Sequence, residues 1–245
     1  MSSTSSGVRQ DWFATTHWSV VVSAGRGDGT AAREALARLC EKYWTPLYSY
    51  VRRRGYPPDD SQDLTQEFFV RLMEHNRLAR ADRQKGRFRA FLLASLKNFL
   101  CDEWDRSRAK KRGGGLQFLS LQAEKGEEVY ALEPPDPMTP DQIYERRWAL
   151  TLLNNVVTGL RAEFVREGKG ELFDALSPCL VGERSTLPYG ELAARLGMSE
   201  GGIKSAVHRL RRRYRELLRR EIASTVASPE EIDEELRDLL RVLAR

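Results

Sequence analysis

The sequence predicts an all-α protein: two small helical bundles joined by a flexible linker, the second containing a helix-turn-helix. Three observations predict it. Apolar residues recur at spacings of three and four through most of the 245 residues, while alternating strand patterns are nearly absent. Residues 107–140 hold KKRGGG and four prolines, Pro134, Pro135, Pro137 and Pro140, a composition that loosens the backbone and interrupts helices. Residues 187–220 read as two short helices around a tight turn, the second unusually basic. The length suits one or two domains. The boundaries follow: an N-terminal extension 1–30, a first bundle 31–112, a linker 113–140, a second bundle 141–227 and a C-terminal amphipathic helix 228–245.

The elements are justified in order. Residues 1–14 are Ser-rich, and HWSVVVSA (17–24) suits one or two helical turns capped by Thr16. From Ala31, the residues Leu36, Leu39, Tyr43, Leu47 and Tyr50 or Val51 trace a stripe, and Pro46 inside it predicts a bend or local break. GYPPDD (55–60) is a stop signal. A helix over 63–73 then puts Leu64, Phe68 and Leu72 on one face and Asp63, Gln66, Glu67 and Arg71 on the other. After a charged loop, 79–87, a long helix over 88–108 carries Phe91, Ser95, Asn98 and Asp102 on successive turns. Within the linker, LQFLSL (116–121) suits packing against a partner.

Thr139-Pro140-Asp141-Gln142 restarts order, with an N-cap, Pro at the first helical position and Gln where a capping box wants it. That helix runs to about Arg166 with the stripe Trp148, Leu152, Val156, Leu160 and Phe164, and another follows near 170–180. Ser228-Pro229-Glu230-Glu231 reads as a second capping box, opening a helix with Ile232, Leu236, Leu239 and Leu243 on one side. Six acids against three arginines make this tail a poor DNA ligand. It suits packing on the second bundle, or docking a regulator through its leucines.

In 187–220, residues 189–196 form the first helix and Gly197 supplies a left-handed turn that a Cβ resists. Ser199 is the N-cap of the second helix. Ile203, Val207, Leu210, Tyr214 and Leu217 make its apolar back, and Lys204, Ser205, His208, Arg211, Arg212 and Arg215 fall on the other faces. An apolar back and a cationic front suit a helix lying in a DNA major groove. A solvated basic face is the plain alternative.

The net charge of +5 is unevenly spread. Segment 203–220 has eight Lys/Arg against Glu216, a net of +7, and segment 88–112 has seven against three acids, a net of +4. The remainder is therefore about −6 by formal charge. Two cationic patches on an acidic body suggest two contacts with a polyanion. In the earlier patch, aromatic faces can stack on unpaired bases while cations hold phosphate, and the Asn98 amide can read a base edge. Phe91, Leu92 and Phe99 are expected in the core, leaving Asn98, Lys97 and Arg106 for nucleic acid.

Cys40, Cys101 and Cys179 are far apart and belong to no metal-binding pattern, so they read as buried thiols in a reducing compartment. No apolar run approaches a membrane span, and the N-terminus lacks a secretion signal, so a cytoplasmic location is expected. Asp59, Asp60, Asp63 and Glu67 cluster without a nearby His, so neither a metal, a cofactor nor an enzymatic activity is expected.

The ordered set DLTQEFFVRL, FRAFLLASLKNFLCDEWDR, a linker, and a helix-turn-helix ending in IKSAVHRLRRRYRE resembles the extracytoplasmic-function (group IV) sigma factors of bacterial RNA polymerase. The resemblance covers about 31–112 and 141–222. It implies core RNA polymerase and promoter DNA as partners, with no membrane contact, and a monomer when not bound to polymerase. Asp63, Gln66 and Glu67 stand where the family grips the clamp of the largest polymerase subunit. Loop 76–88 and Asn98 stand where it captures an unstacked base of the −10 element, with Lys97, Arg106 and Arg108 on the nearby strand. Lys204, Ser205, His208, Arg209 and Arg212 lie on the helix that reads the −35 element, and 113–140 would thread toward the active-site channel. The alternative is a stand-alone helix-turn-helix regulator, which usually binds as a dimer.

Three departures stand out. The family's clamp-binding helix commonly starts with an Asp-Ala-Glu-Asp-like run, where this chain has Asp60-Ser61-Gln62-Asp63. Phosphorylation of Ser61 or Thr65 would restore charge, adding about −1.5 to −2, and would implicate a Ser/Thr kinase. A tolerated Gln62 is the simpler reading. Residues 159–186 are longer than the family's usual approach to the helix-turn-helix, and the C-terminal helix is an addition, open to an anti-sigma factor or other regulator.

Overall fold

The computed structural model describes residues 30–74, 87–109, 138–180, 188–226 and 228–244, with Gly126 and Tyr130; side chains at 30–36, 38, 73, 74 and 106–109 are outside the description. Among these residues every regular element is helical. The α-helices are α1 (Thr30–Arg53), α2 (Pro58–Glu74), α3 (Phe88–Ala109), α4 (Pro140–Arg166), α5 (Gly170–Leu176), α6 (Tyr189–Leu196), α7 (Glu200–Ala223) and α8 (Ile232–Leu243). Short 3-10 turns, Ser177–Leu180 and Pro229–Glu231, follow α5 and precede α8. The expected turns at 17–24, the segment 116–121 and loop residues 76–86 lie outside the described residues.

The chain forms two compact units, Met1–Thr151 with Ile222–Arg245, and Leu152–Glu221. The division falls inside α4 rather than in 113–140, most of which is outside the described residues.

In the first unit α1 packs along α2, and α2 meets α3. Tyr43, Trp44, Leu47 and Val51 of α1, Phe68, Phe69 and Leu72 of α2, and Phe88, Leu92, Leu96 and Phe99 of α3 are buried. The Trp44 ring stacks on Phe69 at 5.9 Å, and Phe68 lies 5.8 Å from Phe99. α1 runs through Pro46 as one helix, without the break its missing N–H suggested. One lost hydrogen bond is outweighed where Tyr43, Trp44 and Leu47 around it are buried, each worth about 1.5–3 kcal/mol for an apolar side chain. α2 begins at Pro58, five residues before the expected Asp63, because Pro is preorganised for the first turn and Asp59 and Asp60 suit the helix N-terminus. Thr139 and Gln142 form the expected capping box: Gln142 N–H donates to Thr139 Oγ1 at 3.3 Å, and Thr139 N–H to Gln142 Oε1 at 2.8 Å.

The C-terminal helix corrects the expectation that it packs on the second bundle. It belongs to the first unit, where its carboxylates meet arginines at the start of α3. Ser228 also makes no side-chain cap: its backbone C=O accepts from Glu231 N–H at 3.2 Å, and a 3-10 turn forms there.

The second unit is built on Leu160, Phe173, Leu176, Cys179, Leu192, Ile203, Val207 and Leu210, with Phe164, Tyr214 and Leu217 packed at its edge. Arg213 makes a two-pronged bond to Glu163, both distances 2.8 Å, joining α7 to α4.

Candidate nucleic-acid interface

α6 ends at Gly197, whose φ of +61° and ψ of +30° are the left-handed values that closed the turn in the sequence reading. Ser199 Oγ accepts Gly202 N–H at 3.1 Å and caps α7. α7 therefore tolerates Gly201 and Gly202 in its first turn. They cost at most about 1 kcal/mol each, while burial of Ile203, Val207 and Leu210 is worth about 1.5–3 kcal/mol apiece.

That burial fixes which residues face outward. Lys204, Ser205, His208, Arg209, Arg212 and Arg215 are exposed. Arg211 is not among them: it is half-buried, and its Nε donates to the Cys179 carbonyl at 2.9 Å. The Glu163 hydrogen bond holds the Arg213 guanidinium in its charged form and the Glu163 carboxyl below its ordinary range. Two of the eight cations in 203–220 thus hold the unit together, and the outward face keeps the rest.

The first unit has a cavity of about 130 Å³ lined by Phe68, Arg71, Leu72, Phe91, Ser95, Asn98 and Phe99. Asn98 is exposed at it, while Phe68 and Phe99 are buried apolar walls. Leu92 and Phe99 sit in the core as expected, whereas Phe91 is half-buried and lines the cavity. Arg71 lies over the Phe99 ring at 5.1 Å and pairs with Glu67 and, at 2.6 Å, with Glu103. Lys97 is exposed and paired with Asp141, the main cause of its raised pKa. Arg106 and Arg108 stand on the last turns of α3, with side chains outside the described residues.

Arg89, counted in the earlier cationic patch, is buried instead. Its Nη1 donates to Glu235 Oε1 at 2.5 Å, its Nε lies 3.0 Å from Glu145, and its guanidinium covers Trp148 at 4.3 Å. Composition counted this charge as surface. The signal that could have placed it is the acidic run Glu234, Glu235 and Asp238, a one-turn match for Arg87 and Arg89.

On α2, Asp59, Asp60 and Asp63 are exposed, and Gln66 and Glu67 are half-buried. Ser61 and Thr65 are wholly buried. Ser61 Oγ donates to the Tyr56 carbonyl at 3.2 Å, and Thr65 Oγ1 to the Ser61 carbonyl at 2.7 Å. The phosphorylation reading is therefore corrected: a kinase cannot reach either hydroxyl with α2 folded, and a phosphate there would sit against the core. Among the described residues, no group of His, Cys, Asp or Glu is arranged to hold a metal. Cys40 and Cys179 are buried as expected, with burial first and Glu41 second pushing the Cys40 thiol up to about 12, but Cys101 is exposed. Among the described residues, no helix is long and apolar enough to cross a membrane.

Residues 39–110, which span α1 to α3, match the family model of sigma-70 region 2. Over 198 residues, 81% of this chain and 67% of the other, the sequence is 24% identical to the ECF RNA polymerase sigma factor SigE of Mycolicibacterium smegmatis (strain ATCC 700084 / mc(2)155). Both findings support a sigma factor of the extracytoplasmic-function type, the family whose resemblance the motifs carried. No solved structure matches the chain.

Proposed function

We propose that this chain binds core RNA polymerase, recognises −10 and −35 promoter elements and directs transcription initiation. The observation that carries the proposal is the outward face of α7. A capped, core-anchored helix presents Lys204, Ser205, His208, Arg209 and Arg212 to solvent, which suits insertion in the major groove of the −35 duplex. The cavity beside Asn98 suits the other half of the task. A pocket walled by Phe68, Leu72, Phe91 and Phe99, with the polar groups of Arg71, Ser95 and exposed Asn98 beside them, can take an unstacked base and bond its edge. Lys97 supports the strand: an exposed pair such as Lys97–Asp141 contributes only about 0–1 kcal/mol, so a phosphate can replace Asp141. Arg106 and Arg108 follow on the same helix. Asp63, with Gln66 and Glu67, forms the strip offered to the polymerase clamp. The chemistry is differential affinity: a protein that holds the melted strand better than the duplex shifts the equilibrium toward the open promoter.

Run-off transcription with core polymerase, followed by mapping of transcript starts, tests this. Starts at defined positions that depend on the protein are expected. Specific DNA binding with no such starts would favour a stand-alone regulator. Asn98→Ala should slow promoter opening while leaving duplex docking intact, and an Asn98→Ala variant opening at the normal rate removes that residue from the mechanism.

A further inference from the structure

Three consecutive residues at the start of α3 are tied to the C-terminal segment. The Phe88 N–H donates to the Thr225 carbonyl at 3.3 Å. The Arg87 guanidinium is hydrogen-bonded to Asp238, lies 2.8 Å from Glu235 and lies 3.5 Å from Glu234. Arg89 bonds Glu235, whose side chain is wholly buried. All of these groups belong to the first unit.

We propose that α8 is a positioning element for strand capture: by fixing residues 87–89 it sets the placement of α3 and hence of the cavity at Asn98. This rests on the sigma-factor reading above. The helix register carries it. Phe91, Ser95 and Asn98 share one face of α3, and Arg87, the residue just before the helix, precedes them by four, eight and eleven residues, its C=O accepting from Phe91 N–H at 3.2 Å, so the anchor leads directly into the helix that carries the cavity lining. At about 1.5 Å per residue, Asn98 lies about 16 Å from Arg87, and a tilt of about 5° at the anchor moves it by about 1.4 Å. Hydrogen bonds to a base edge tolerate a few tenths of an ångström, so the anchor decides whether the amide meets its target. A buried ion pair adds little net stability, because removing charge from water offsets the attraction, so the pairs at Glu235 are assigned to fixing where α8 docks. Six acids in the tail make direct DNA contact by α8 a poor alternative. Arg87, Arg89, Glu235 and Asp238 are thus positioning residues acting through α3.

The test uses the full chain, core polymerase and the promoter found by start mapping, with permanganate reactivity as the measure of opening. Asp238→Ala leaves Arg87 its other two carboxylates and is expected to fold, which circular dichroism checks. Opening should slow at least about fivefold, a small part of the roughly 100-fold that misplacement by an ångström can cost at a working site, while duplex docking by gel shift stays within about twofold. Arg87→Asp should slow opening more. Adding Asp238→Arg to Arg87→Asp returns a cation to the introduced carboxylate, Glu234 and Glu235 and should recover part of the rate, which it could not do if Arg87 touched DNA directly. An unchanged or faster rate in folded Asp238→Ala, or a double variant no faster than Arg87→Asp, overturns the proposal. A wild-type protein that gives no promoter-specific starts fails differently, and withdraws the sigma-factor reading with it.

Discussion

Arg89 and Arg212 carry the same side chain in opposite surroundings. Arg89, in the first unit, is buried between Glu145, Glu235 and the Trp148 ring. Arg212, in the second, stands on the outer face of α7 with only a loose 3.7 Å approach to Glu216. The first unit turns part of its positive charge inward and uses it to select a packing partner. The second anchors Arg211 and Arg213 of α7 to its own frame and keeps Lys204, Arg209, Arg212 and Arg215 exposed. Net charge by segment does not distinguish these uses, although only charge left exposed is available to a polyanion.

The largest effect should separate the two arginines. Arg89→Ala leaves half-buried Glu145 without this partner and buried Glu235 with Arg87 alone, and truncating one side of a buried pair costs about 3–5 kcal/mol. Chemical denaturation would read this loss, and a change under about 1 kcal/mol would show that α8 is not held as described. Arg212→Ala should leave stability within about 0.5 kcal/mol, since the site is exposed. It should instead weaken binding to the upstream element by about 1–3 kcal/mol if it reads a base, or lower the salt dependence by about one charge if it holds a phosphate. Titration at several salt concentrations tells the two apart.

A smaller effect sharpens what the start of α7 is for. An added Cβ at Gly201 would meet nothing within 4 Å, whereas at Gly202 it would press on Ser199 Oγ at 3.2 Å. Gly201→Ala should therefore stabilise the protein by up to about 1 kcal/mol from helix propensity alone. If the helix start approaches the DNA backbone closely, the same variant should bind the −35 element less well. A gain in stability with unchanged affinity would leave Gly201 without a role in recognition.

These contrasts also mark how far the sequence could be read. Local grammar was legible: Thr139 and Gln142 cap α4, Gly197 turns left-handed, and Ser199 caps α7, each decided within a few residues. The start of α2 at Pro58 obeys the same Pro-first rule that placed α4 at Pro140, and Asp59 and Asp60 already signalled it. Burial of Ser61 and Thr65 was legible too, because with Phe68 and Leu72 they repeat at spacings of four, three and four. Polar residue type hid the period. The docking of α8 was a different matter: its partners lie about 150 residues away, at |i−j| of 146 for Arg89–Glu235 and 151 for Arg87–Asp238. Charge complementarity made the match conceivable, but acids in one segment and bases in another do not say which pairs meet. The cavity at Asn98 was half legible, since α3 spacing grouped Phe91, Ser95 and Asn98, but Phe68 and Arg71 arrive from α2 only through packing.

The smallest effect is a difference in pH response. Burial raises Glu235 and Glu145 above the usual glutamate value of 4.5, outweighing the nearby arginines, while the Arg213 hydrogen bond lowers Glu163 below it. A raised carboxyl binds its proton more readily folded than unfolded. Its contribution to stability therefore grows as pH falls through the raised value toward 4.5 and shrinks as pH rises. A lowered carboxyl does the reverse: its contribution is fully present above 4.5 and is lost as pH falls through the folded value. Because Gln does not titrate, the unfolding free energy of wild type relative to Glu235→Gln should increase on mild acidification from neutral pH. Relative to Glu163→Gln it should stay flat to about pH 4.5 and then decline. Parallel curves for the two variants would mean that the arginines at Glu235 and at Glu163 share one electrostatic setting, and the distinction between the units would rest on exposure alone.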